Sequence, residues 1–218
     1  MVPPMPKSSP LPPWPGLTVE SDETVWNGRF PLQRIKFRHR RFDGDTSPVR
    51  TWELWRRGRA AALLPYDPVA DVVVLIEQFR LPALAAGVDP VMVEVPAGLC
   101  DPGEDVATTL VRETQEELGL TPRRILPISD ILLSPGGCDE FCALHAGEVT
   151  APPCDAEGIV GRTGLASEAE DIQVRIWPAD RAIEAALAGQ MPNAVTAIAL
   201  LWLAAKRETL RTLWKDPA

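Results

Sequence analysis

The sequence predicts a mixed α/β protein with a small antiparallel β-sheet at its N-terminal end. Three observations carry that expectation. Residues 17–57 hold three strand-like runs separated by turn residues. Residues 60–177 hold short apolar runs of strand length, 60–65, 72–79, 91–95, 125–133, 141–149 and 172–177, which read as a buried sheet. Helical patterns interrupt and follow them: one runs up to Leu118, one spans 178–189, and the last runs from Asn193 to about Trp214.

The elements follow in chain order. Residues 1–16 contain seven prolines and little to bury, so a disordered tail is expected there. In the run L-Q-R-I-K-F-R-H-R-R-F, Ile35, Phe37 and His39 alternate with Lys36, Arg38 and Arg40, the period of a half-buried strand. The turn signal Phe42-Asp43-Gly44-Asp45 follows it. Three strands make too small a core to stand alone, so residues 17–57 must pack on the rest of the chain, residues 58–215, or on a second copy. Residues 154–169 read as a polar loop. Asn193 is a good N-cap for the final helix, which is apolar almost all round in its first half.

Composition narrows the function classes. The 218 residues are 45% hydrophobic and 24% charged, ordinary for a soluble globular protein. A net charge of −8 argues against non-specific nucleic-acid binding, which needs a basic surface. The four cysteines form no CxxC pair and read as reduced thiols of a cytoplasmic protein. The N-terminus lacks a secretory profile, and the most apolar run, 194–205, is too short to span a bilayer.

Chemistry concentrates in residues 97–120, A-G-L-C-D-P-G-E-D-V-A-T-T-L-V-R-E-T-Q-E-E-L-G-L. Pro102-Gly103 makes a turn, Asp105 can cap a helix, and Gly119 can end it in the left-handed conformation. Val106, Leu110 and Leu118 can face the core while the glutamates face out. On that helix Glu113 lies beside Glu116 and Glu117, because positions three and four apart share a face. No lysine lies between Glu104 and Leu120 to relieve the crowding. A hard divalent cation would, since magnesium takes oxygen ligands, usually alongside substrate phosphates.

The spacing Gly98, five residues, Glu104, seven residues, Arg112-Glu113, two residues, Glu116-Glu117, one residue, Gly119 resembles the Nudix box. The one departure is Thr114, where the family usually has an aliphatic residue. The resemblance implies an α/β/α sandwich and hydrolysis of a nucleoside diphosphate linked to another moiety. It also implies a Mg2+ site (Mn2+ as the alternative) made by Glu113, Glu116, Glu117 and the backbone carbonyl of Ala97. Glu104 and Arg112 would be a structural pair holding the loop to the helix. The flanks L-I-E-Q-F-R, S-P-G-G, G-L-A-S-E-A-E-D-I and N-A-V-T-A-I-A-L-L-W-L resemble the ADP-ribose pyrophosphatase branch. That branch implies a homodimer with exchanged N-terminal sheets and phosphate contacts from Arg80. It implies Glu168 as general base, with Glu170 on the same loop as its rival. Trp26 and Trp52 would stack the adenine or else fill the dimer interface. Glu53, Arg57 and Glu140 complete the substrate-binding candidates. Two other readings are a GDP-mannose or UDP-glucose pyrophosphatase, and a sensor that binds ADP-ribose without cleaving it.

Overall fold

The computed structural model describes residues 10–165 and 170–214. Among them no helix is long and apolar enough to cross a membrane, and all four cysteines are free thiols. The chain divides into two compact units: one takes in the residues up to Arg59 together with Leu132–Phe141, and the other takes in Ala60–Ile131 and the chain from Cys142 onward.

In the first unit, β1 (Leu17–Asn27), β2 (Pro31–His39) and β3 (Arg50–Trp55) form an antiparallel sheet in that order. The turn expected at 42–45 is there, with Gly44 at φ 91°, a conformation open to a residue without Cβ. Pro31, Gln33 and Ile35 are buried while Arg34 and Lys36 are exposed, so the alternation in β2 marks two unlike faces. The 134–140 segment extends this unit: Trp55 N donates to Gly137 O and Asp139 N donates to Trp55 O. Residues 10–16 have no regular structure, although Leu11 lines a pocket against β2 and β3.

The second unit is built on β4 (Arg59–Asp67), β5 (Val72–Phe79), β6 (Val91–Glu94), β7 (Ala97–Leu99), β8 (Ile125–Leu132), β9 (Phe141–Glu148), β10 (Ile159–Thr163) and β11 (Ile172–Pro178). The main path runs β10-β11-β5-β4-β9-β8, with β6 on β5 and β7 on β4. The helices are α1 (Leu81–Ala85), α2 (Val106–Leu118), α3 (Ala179–Leu187) and α4 (Ala194–Leu213). Val74 and Ile76 of β5 pack with Ile172, Val174 and Leu118 of α2 on one face of the sheet. Val73 lies on the other face opposite Tyr66, whose ring meets Trp214 at the end of α4. Helices therefore cover both faces, as the expected sandwich requires.

Three elements depart from the sequence reading. Residues 97–99, outside the expected strands, pair with β4 as the short strand β7. Residues 159–163, expected in a loop, form the edge strand β10, with a register shift at Gly161 that obscures its alternation. The short helix α1 went unread because five residues are too few for a helical period, although Pro82 in its first turn is a start signal.

An ion-pair network ties α3 and α4 to the β4–β5 turn. Asp71, in the left-handed conformation at φ 58°, accepts Tyr66 Oη at 2.7 Å and Arg207 Nε at 2.8 Å. Arg207 also pairs with Asp180 of α3. Hydrogen bonds from Arg207 hold the Asp71 carboxyl below its ordinary range. Asp71→Asn keeps the turn conformation, which asparagine tolerates, but should cost about 2 kcal/mol through lost charge-assisted hydrogen bonds. Because the folded-state pKa is depressed, this contribution is present above the unfolded value of about 4 and is lost as pH falls through the folded value. Thermal melts should therefore show a wild-type advantage at pH 7 that closes below about pH 4; a constant gap would contradict the ion pair.

Candidate active site

The loop and helix at 97–119 form as their residues dictate. Asp105 Oδ1 accepts Thr108 N at 2.8 Å, capping α2, and Gly119 ends the helix at φ 69°. Leu110 is buried with Ala61 and Leu63, and Val106 packs against them. Thr114 is fully buried too; its hydroxyl donates to Leu110 O at 2.6 Å, so the polar replacement of an aliphatic residue leaves no unpaired group.

Arg112 organises the acidic side chains. Its Nε and Nη2 grip Glu104 at 3.0 Å each, and Nη2 also donates to Leu99 O at 3.1 Å, which fastens loop to helix. Those bonds draw the Glu104 carboxyl down to about 2. The third nitrogen, Nη1, donates to Glu113 at 2.7 Å and Glu116 at 3.1 Å. Arginine thus supplies part of the relief that the sequence reading gave to a cation alone.

Glu117 corrects another expectation. It is only 4% exposed rather than outward-facing, because β7 and β10 flank α2 on that side. Its Oε2 accepts Ala97 N at 3.0 Å, and Thr163 Oγ donates to its backbone carbonyl. Burial pushes its pKa up to about 8, with the charges of Glu113 and Glu170 adding to the shift. Burial likewise raises Glu113, against the pull of Arg112. Gly98 lies directly beneath: a Cβ there would stand 1.7 Å from Glu113 Oε1. Only glycine lets β7 pass so close to that carboxylate.

Among the described residues, no three acidic, cysteine or histidine side chains converge as they stand on a point an ion could occupy; Glu113 and Glu116 are held by Arg112 instead. The donor set nonetheless fits a hard divalent cation. It consists of carboxylate oxygens, that of Glu117 buried and that of Glu113 half-buried, both with raised pKa values, beside the backbone of the half-buried strand β7.

Arg80, at the end of β5, faces this cluster, and the charges of Glu117 and Glu170 act on it. Burial would lower its pKa, but the hydrogen bonds to Glu94 together with the charges of Glu94, Glu117 and Glu170 outweigh that and raise it. Glu170 Oε2 accepts Leu165 N at 3.1 Å. Glu168, the candidate base, lies outside the described residues.

The remaining candidates belong to the first unit. Arg57 Nε donates to Glu140 Oε2 at 2.7 Å, and its guanidinium lies 4.1 Å from the Phe30 ring centroid and 4.9 Å from that of Trp55. Phe30, Trp55 and Asp139, which accepts the backbone N–H groups of Arg57 and Gly58, escaped the sequence reading. Trp52 and Glu53 line a pocket of about 180 Å³. Trp26 is opposite Leu32 and Trp52 opposite Ile35, an odd step along β2 that puts the two rings on opposite faces of the sheet. One chain therefore does not bring them together.

The site is thus framed by an acidic helix floored by glycine, against a mixed sheet covered by helices on both faces. The NUDIX domain model matches residues 56–195, and the chain belongs to the Nudix family. It is 41% identical over 192 residues to the ADP-ribose pyrophosphatase of Escherichia coli (strain K12), covering 88% of this chain and 90% of that one. The ADP-ribose pyrophosphatase of Haemophilus influenzae (strain ATCC 51907 / DSM 11121 / KW20 / Rd) is 35% identical, with 91% of each chain covered. A GDP-mannose pyrophosphatase of Salmonella arizonae (strain ATCC BAA-731 / CDC346-86 / RSK2980) is 29% identical over 86% of this chain and 94% of that one. Among solved structures, a crystal structure of an ADP compounds hydrolase matches with a TM-score of 0.64 at 20% identity, covering 92% of this chain and 97% of that one, which supports the fold.

Gly98→Ala should displace Glu113 by an ångström or more, and such a misplacement costs about 100-fold in hydrolytic rate. Steady-state assays alongside a melting curve check this: lost rate with a preserved fold is expected, and an unchanged rate would contradict the role of the close approach.

Proposed function

We propose that this chain hydrolyses the pyrophosphate bond of ADP-ribose, giving AMP and ribose 5-phosphate. The observation that carries the reading is the 41% identity, over 88% of the chain, to an enzyme named for that activity, in a chain that keeps Glu113, Glu116 and Glu117 on α2. The three carboxylates and the Ala97 carbonyl oxygen would hold Mg2+, or Mn2+ in its place, which would supply charge neutralisation at the diphosphate and a lower pKa for water. Arg80 donates to phosphate oxygens and bears part of the charge that develops there. Glu168 accepts the proton as water oxygen bonds to phosphorus, and the bridging P–O bond breaks with the electron pair leaving on the other phosphate. Glu170 has the nearest competing carboxylate, but it is engaged by Leu165 N.

The first unit supplies the base-binding elements. Trp52 and Glu53 line a pocket sized for part of a nucleotide, and Arg57 is braced by Glu140 for a phosphate or ribose contact. Since Trp26 and Trp52 stand on opposite faces of one sheet, a stacked adenine takes its second ring from a partner subunit. The chain accordingly works as a cytoplasmic homodimer with exchanged N-terminal sheets, and light scattering should give twice the 23.8 kDa chain mass.

The more distant similarity to a GDP-mannose pyrophosphatase makes nucleotide sugars the second reading. Rates with ADP-ribose, GDP-mannose and UDP-glucose separate the two; a higher kcat/KM for either sugar nucleotide would overturn the first. Glu113→Gln and Glu117→Gln should each cut turnover by several orders of magnitude. Both variants should still fold in metal-free buffer: the Glu117 amide keeps an oxygen for Ala97 N, and Arg112 keeps its bonds to Glu104 and Glu116 when position 113 is neutral. Normal turnover in either variant would contradict the metal assignment. Glu168→Gln should lose far more activity than Glu170→Gln; the reverse order would move the base to Glu170.

A further inference from the structure

Glu94 is a carboxylate in a strand that is otherwise apolar, with a side chain only 7% exposed, and among the described residues its hydrogen bonds go to none of the groups assigned to metal. It accepts hydrogen bonds from three side chains. Gln78 Nε2 donates to Oε2 at 2.9 Å, Arg80 donates Nε and Nη2 to Oε2 at 3.0 and 2.7 Å, and Asn193 Nδ2 donates to Oε1 at 2.8 Å. The grip on Arg80 uses the Nε/Nη2 edge of its guanidinium. That leaves Nη1 on the opposite side of a residue whose side chain is 46% exposed.

Asn193 is also the N-cap of α4, and its two amide atoms divide the work. Oδ1 accepts Thr196 N at 2.9 Å and Thr196 Oγ at 3.1 Å, while Nδ2 reaches Glu94. Thr196 is fully buried, and its hydroxyl accepts Val95 N at 3.0 Å, so the cap is locked to the residue after Glu94. A buried carboxylate fixed from two directions is a rigid abutment for an arginine that must point outward. A fold needing only stability at this place would do as well with an apolar residue, because burying an ion pair rarely gains net free energy.

We propose that Glu94 and Asn193 are positioning residues that aim Arg80 at the diphosphate of the substrate, with the N-cap of α4 as the fixed end of the relay. This rests on the reading of Arg80 as a phosphate-contacting residue, and it makes the start of the last helix part of the active-site apparatus. The two jobs of Asn193 can be separated. Asn193→Asp keeps an N-cap as good as the original but replaces the Nδ2 donor with an oxygen facing the Glu94 carboxylate. Arg80 is then shared between two carboxylates and turned inward.

The test is a double-mutant cycle on kcat/KM for ADP-ribose with magnesium, with melting temperatures measured in parallel. Asn193→Asp should lower kcat/KM about tenfold or more, in keeping with a lost charge-assisted contact. The protein should still fold, with a melting temperature lowered by the facing carboxylates, and the loss of kcat/KM should vanish in an Arg80→Ala background. Should Asn193→Asp fail to fold, Glu94→Gln provides the same comparison, with an amide replacing one charge and the same disappearance in Arg80→Ala. A wild-type kcat/KM in the folded variant, or a loss that persists undiminished on top of Arg80→Ala, would overturn the proposal. An Arg80→Ala variant as active as wild type would overturn the phosphate role of Arg80 itself, and the positioning role with it.

Discussion

Acidic side chains on one turn of α2, pressed against a backbone that only glycine allows so near, set the terms for the rest of the molecule. Glu117 is almost fully buried and Glu113 lies against Gly98. Such a cluster resists ionisation, and its neutralisation has to come from cations placed around it. Arg112 provides one from the helix itself and Arg80 another from the end of β5. A divalent ion is the natural third, and a diphosphate brings the negative charge that such an ion would then share.

The rest of the second unit keeps those groups in place. The strand β7 hydrogen-bonds to β4, pairing Gly98 with Ala61, and Leu110 anchors the helix against the same strand. Glu104 and the Leu99 carbonyl fix Arg112, while Glu94 and the cap of α4 fix Arg80. Strain of this electrostatic kind is held by ordinary apolar packing on both faces of the sheet.

Much of this was legible in the sequence, for definite reasons. The caps Asp105, Gly119 and Asn193 stand where their side chains or conformations require. The strand 72–79 is legible to the residue because its apolar run 72–76 is continuous and Asp71 and Arg80 bound it. The box spacing located the acidic cluster. What escaped were features that depend on tertiary neighbours. The burial of Glu117 follows from β10, whose bulge hides it from a periodicity search. The aromatic collar of Arg57, made by Phe30 and Trp55, joins residues whose contact no local pattern announces. Glu94 escaped as well, although a carboxylate inside V-M-V-E-V carries a signal, since burying it requires a partner.

The account turns on whether the carboxylates of α2 hold a divalent ion. Titrating Mn2+ into the substrate-free protein, and following the free-ion signal by electron paramagnetic resonance, addresses this without reference to turnover. The wild type should deplete the free signal saturably, and the Glu113→Gln/Glu117→Gln double variant should leave it close to that of buffer. Equal depletion by both proteins would place the ion elsewhere and contradict the account.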